Sequence, residues 1–130
     1  LGSETVRDPA ILQQLRGVPG ADRLVLSLDF RDEQFIGPPG WLERPQIWPE
    51  RVIVMTLGRV GSGAGPDFAR LDEIRRLAPR HRIFAAGGVR DGEDLIELAG
   101  RGVDGVLIAT ALHDRRIARA EVAAVAGDAA

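Results

Sequence analysis

Four short apolar runs, near residues 23–29, 51–57, 82–86 and 103–108, alternate with segments whose apolar residues recur at helical spacing. The runs have strand length and little polar alternation, which predicts strands buried on both faces of a parallel sheet. Between them, Asp8-Pro9 is a helix start signal, with Ile11, Leu12 and Leu15 on one face and Gly17 and Pro19-Gly20 as the stop. A second helix is predicted from Pro66-Asp67 to Pro79, with Phe68, Leu71, Ile74 and Leu77 in phase. Asp91 caps a third through Leu95, Ile96 and Leu98, stopped by Gly100 and Gly102, and 115–125 reads as an Ala-rich amphipathic tail helix. Strands alternating with helices of this length predict an α/β domain of βαβ units.

Two stretches fit no regular element. Residues 31–50 are polar, rich in Gly and Pro, and hold both tryptophans, Trp41 and Trp48; they predict a partly hairpin-like excursion. Residues 58–66 are too rich in glycine for a helix or strand. The run Gly61-Ser62-Gly63-Ala64-Gly65 lacks G-x-G-x-x-G spacing and a Lys, and Pro66 follows it, so it reads as a mobile lid and not a nucleotide loop. Leu1-Gly2-Ser3 reads as the end of a strand whose beginning is missing, which leads us to expect a piece of a larger chain.

Composition narrows the chemistry. The 130 residues are 45% hydrophobic and 28% charged, ordinary values for one globular domain, and the net charge of −2 gives no bulk attraction to nucleic acid or anionic membrane. All 17 basic residues are Arg, which excludes Schiff-base chemistry and a Walker lysine from this stretch. Without cysteine it carries no disulfide framework. His81 and His113 stand alone, with no ligand spacing around them, so no metal or organic cofactor is expected. A cytoplasmic protein is the expectation.

Candidate chemistry gathers at the ends of the runs. Asp29 closes the most apolar strand, where a (β/α) barrel carries its catalytic groups; partial desolvation there suits general-acid duty. Gly87-Gly88 lies between a strand and a capped helix, a setting for backbone N–H groups to hold phosphate. Ala109-Thr110 after the last strand offers a second rim. Arg59 and Ser62 in the 58–66 loop are candidate substrate contacts, and Trp41 can stack over a flat ring. Arg115, Arg116 and Arg119 read as the solvated face of the tail helix.

In order, Leu1-Gly2-Ser3, Ser27-Leu28-Asp29-Phe30, Gly40-Trp41, Gly65-Pro66-Asp67, Ala86-Gly87-Gly88-Val89 and Ala109-Thr110-Ala111-Leu112 resemble the histidine-biosynthesis (β/α)8 barrels. These are phosphoribosylformimino-aminoimidazole carboxamide ribotide isomerase and the related imidazole glycerol phosphate synthase cyclase. The resemblance implies the C-terminal half-barrel, the end of strand four through strand eight, as a single unit over 1–130. It implies an Amadori rearrangement with Asp29 as acid, Trp41 stacking on substrate, Gly87, Gly88, Ala109 and Thr110 at one phosphate, and Gly2 and Ser3 at part of another. The implied partners are a phosphorylated sugar or ribotide and either a second copy or the missing half, with neither nucleic acid nor membrane.

Departures from the family pattern are clear. The Asp-Gly-Thr after strand six is Val60-Gly61-Ser62, the usual Gly of the last phosphate turn is Ala109, and the strand-one Asp has no counterpart in this stretch. These differences keep two alternatives in view: a non-catalytic or repurposed phosphate-binding barrel, and a cyclase-type relative.

Overall fold

The computed structural model describes residues 1–60 and 62–127. The strands are β1 (Val25–Arg31), β2 (Gln34–Ile36), β3 (Arg51–Thr56), β4 (Arg82–Ala86) and β5 (Gly105–Leu107). They form one sheet in the order β2-β1-β3-β4-β5, antiparallel between β2 and β1 and parallel elsewhere. Leu1–Ser3 lies along the N-terminal part of β1 as a parallel stub: Gly2 bridges Ser27, and Ser27 N–H donates to the Leu1 carbonyl at 2.7 Å. The predicted strand end at the start of the chain is therefore present, and β2 continues the same edge beyond it.

The helices are α1 (Ala10–Arg16), α2 (Phe68–Leu77), α3 (Gly92–Gly100), α4 (Thr110–His113) and α5 (Arg119–Gly127). Two start where the sequence predicts. Asp67 accepts from the Arg70 N–H and Asp91 from the Asp94 N–H, each satisfying an orphan donor of the first turn. Asp8 acts two positions ahead of α1, accepting from the Ala10 N–H at 2.9 Å while Pro9 occupies the cap position.

Burial separates the two faces of the sheet. Leu26, Leu28 and Phe30 of β1, Val52 and Val54 of β3, and Ile83 and Ala85 of β4 join Leu12, Leu71, Ile74, Leu95 and Leu98 in one core cluster. On the opposite face the parallel register aligns Ser27, Ile53, Phe84 and Gly105 in one row and Asp29, Met55, Ala86 and Leu107 in the next. There Ile53, Met55 and Phe84 are only half-buried and Leu107 is exposed. This inner face belongs to an open sheet whose edge strands, β2 and β5, do not pair with each other.

The hairpin-like start of the 31–50 excursion is present: Asp32, at φ 54°, makes the tight turn that folds β2 (Gln34–Ile36) back onto β1. The tail helix starts at Arg119, so Arg115 and Arg116 stand in the turn between α4 and α5 and not on a helical face. Both tryptophans are fully buried in this chain, and Trp48 Nε1 donates to the Trp41 carbonyl at 2.9 Å.

The two faces predict unequal mutational costs. Leu28→Ala, under the helices, should cost about 3 kcal/mol through lost burial and a cavity, whereas Met55→Ala on the inner face should cost about 1 kcal/mol. Urea unfolding of both variants checks this; equal losses would mean that the inner face is packed in solution.

Candidate functional site

Asp29 is 4% exposed and sits on the inner face at the C-terminal end of β1. Period-two alternation puts Ser27 on the same face, and its hydroxyl donates to Asp29 Oδ1 at 2.7 Å. The Glu4 N–H donates to Oδ2 at 3.2 Å. Ser3 is 1% exposed; its hydroxyl accepts from the Asp29 N–H at 2.9 Å and donates to the Ile36 carbonyl at 2.7 Å. Ser3 and Gly2 thus hold Asp29 in place, and a Cβ on Gly2 would meet Asp29 Oδ2 at 3.3 Å. Gly2 and Ser3, expected at part of a second phosphate site, lie directly against the Asp29 side chain.

The second cluster lies along the same sheet rim. Gly87 and Gly88, at φ 97° and 84°, follow β4, and with Met55, Val60 and Ala109 they line an open cavity of about 370 Å³. Among the described residues the N–H groups of Gly87 and Gly88 make no backbone hydrogen bond outside the strand ladder, so the turn offers donors at the cavity edge. Ala109 reaches the same cavity as expected from its place after β5. Thr110 opens α4, but its side chain lies outside the described part of the structure.

The glycine-rich loop is locked to this turn at one end. A Cβ on Gly88 would lie 2.2 Å from the Gly65 carbonyl oxygen, so the two backbones meet where no side chain fits. Arg59 donates to the Gly65 carbonyl at 3.1 Å and to those of Ala64 and Pro66 at 3.4 and 3.3 Å. Ser62 bonds within its own turn, donating to the Arg59 carbonyl at 2.9 Å and accepting from the Ala64 N–H at 3.2 Å. Both candidate substrate contacts are thus engaged in shaping the loop. Gly61 lies outside the described residues.

The N-terminus of α3 does not face the turn as a free dipole. Asp91 caps it, and buried Asp94 accepts from the Arg90 N–H at 2.8 Å and binds the Arg90 guanidinium at 2.8 and 3.0 Å. That guanidinium lies against Gly65: a Cβ added there would stand 3.0 Å from Arg90 Cζ. The hydrogen bond from Arg90 holds the Asp94 carboxyl below the usual aspartate range against the opposing effect of burial. Negative charge is already in place at this helix end, which leaves the glycine amides, and not the dipole, to receive an anion.

Sequence reasoning missed two members of the neighbourhood. Ser27 was available from alternation alone, two residues before Asp29. Arg116 lines the glycine cavity; its position depends on the turn after α4, and no glycine in the sequence marks that turn.

A parallel sheet with helices on one face and an acid and a phosphate-type turn along its C-terminal rim is a segment of a (β/α) barrel. The family model described as "Histidine biosynthesis protein" matches residues 1–118, and the chain belongs to that family. It is 30% identical over 137 residues to a 1-(5-phosphoribosyl)-5-((5-phosphoribosylamino)methylideneamino) imidazole-4-carboxamide isomerase of Lactiplantibacillus plantarum, covering 96% of this chain and 57% of that protein. The isomerase of the same name from Thermus thermophilus is 33% identical over 129 residues, covering 90% of this chain and 54% of the relative. The chain spans a little over half the length of these relatives.

The Arg90–Asp94 pair has a pH signature. Because folding depresses the Asp94 value, its contribution to stability is complete above the ordinary value of 3.8 and is lost as pH falls through the lower folded value. Melting temperature measured from neutral to pH 2 should fall more steeply at the acid end for the native chain than for Asp94→Asn. Parallel curves would remove this pair from the stability of the α3 start.

Proposed function

We propose that this chain supplies strand four's end through strand eight of a (β/α)8 barrel that isomerises a phosphoribosyl aminoaldose, as the names of its relatives suggest. Leu1–Ser3 then corresponds to strand four, β1 to strand five, β3 to six, β4 to seven and β5 to eight. The observation that carries this reading is the shared row Asp29–Met55–Ala86. It puts the acid and the glycine turn on one face two strand spacings apart, about 10 Å at roughly 4.8 Å per strand. A phosphate held at Gly87 and Gly88 leaves its sugar to extend along the rim toward Asp29.

In this reading Asp29 gives a proton to the ring oxygen of the aminoaldose as the C1–O bond breaks. The carbon–nitrogen double bond so formed makes the C2 proton acidic. A base from the other half of the barrel removes that proton, and the resulting enolamine takes a proton at C1 and gives up the proton of its C2 hydroxyl, which becomes the ketone of the aminoketose. Ser27 and Glu4 N–H hold the carboxyl, and Ser3 fixes its strand. The half-exposed Ile53, Met55 and Phe84 form half of a barrel interior, which favours pairing with an N-terminal half, and a phosphoribosyl compound is the small-molecule partner.

The test is turnover of the aminoaldose by the barrel completed with an N-terminal half, supplied separately or fused. Asp29→Asn should lower kcat by about 10²–10⁴, the range for a general acid, with the phosphate still bound. Phosphate binding without turnover in either form would select the non-catalytic barrel, and turnover insensitive to Asp29→Asn would remove the assigned acid.

A further inference from the structure

The glycine cavity is neutral apart from one side chain. Among its described lining residues Arg116 alone carries charge, and a phosphate dianion held only by two amides lacks a counter-charge. The backbone around Arg116 has an unusual form for its sequence. The Arg116 N–H donates to the Ala111 carbonyl at 2.9 Å and the Arg115 N–H to the Leu112 carbonyl at 3.1 Å. With Arg115 at φ 58°, this is a Schellman closure of α4. A left-handed position in such a closure ordinarily belongs to glycine, and a longer side chain there is held against a local preference. The buried Ile117, whose N–H also donates to the Ala111 carbonyl, fixes the chain on the other side. The turn is thus pinned around Arg116 at the rim of the cavity.

The guanidinium is also available. Its ion pair is with Asp114, at 3.3 Å, and both side chains are about half exposed. A pair of that kind holds weakly. A phosphate offers the same guanidinium a bidentate partner with more charge.

We propose that Arg116 is a phosphate-binding residue: it swings from Asp114 to close over an anion seated on the Gly87 and Gly88 amides. This rests on the cradle assigned under the proposed function and adds to it the charge that the glycine turn lacks. It also assigns Asp114 a role, as the internal anion that holds the arginine while the cavity is empty.

Amide NMR of this chain during titration with ribose 5-phosphate, and separately with inorganic phosphate, tests it. The Gly87 and Gly88 amides should shift in the native chain. Arg116→Ala should weaken binding about tenfold or more, the worth of one charge-assisted hydrogen bond. Arg116→Lys should recover part of the loss, Asp114→Asn should tighten binding, and Arg119→Ala should leave it unchanged. Equal affinity in the native chain and Arg116→Ala, with the glycine amides still shifting, overturns the role of Arg116 and leaves the cradle standing. Equal losses in Arg116→Ala and Arg119→Ala overturn it in favour of general electrostatics. If the glycine amides do not move with either probe in the native chain, the cradle itself is wrong and the proposal falls with it.

Discussion

Much of this structure depends on the contact between the Gly65 carbonyl and the backbone of Gly88. It brings the entry to α2 against the exit of β4, two segments far apart in sequence. Around it, Arg59 gathers three successive carbonyls, Arg90 covers the other side of Gly65, and Asp94 holds Arg90. Thr56 at the end of β3 reaches Asp67, the cap of α2, at 3.3 Å. The cavity floor is therefore fixed by backbone contact and by side chains that bond to the loop and to one another.

The acid end of the rim is built on a different principle. Asp29 is held by hydrogen bonds from a serine of its own strand and from the Glu4 amide that follows the stub. Ser3 ties that stub to both β1 and β2. One end of the rim thus positions a carboxylate with donors, and the other offers the donors of a glycine turn. One strand of apolar sheet, β3, lies between them, an arrangement suited to a ligand with an anionic end and a reacting end.

The fold was largely legible because its strands are buried runs with sharp punctuation. Arg82–Ala86 ends at Gly87-Gly88, and the Asp67 and Asp91 caps begin their helices where expected. The bounds of the short β2 within the hairpin-like stretch escaped because a three-residue edge strand carries almost no periodicity. The site was legible only in part. Asp29 and the glycine pair are marked by position relative to strands, a local signal. Arg59, Ser62 and Trp41 are polar or aromatic groups in loops, and whether such a group faces a ligand or its own backbone depends on three-dimensional closure. Arg116 was hidden because its turn uses arginine at a position where glycine would have announced it.

The interlocked glycines also constrain how this sequence can drift. Any side chain at position 88 collides with the loop, whatever stands at position 65, because the obstacle is a main-chain oxygen. At position 65 the backbone, at φ 86°, already disfavours any side chain, and the Arg90 guanidinium adds an obstacle that gives way only by loosening its hold on Asp94. Position 88 is accordingly closed by main chain, and position 65 by its own backbone and by the Arg90–Asp94 pair together. The loop and the turn can therefore drift only around two fixed glycines.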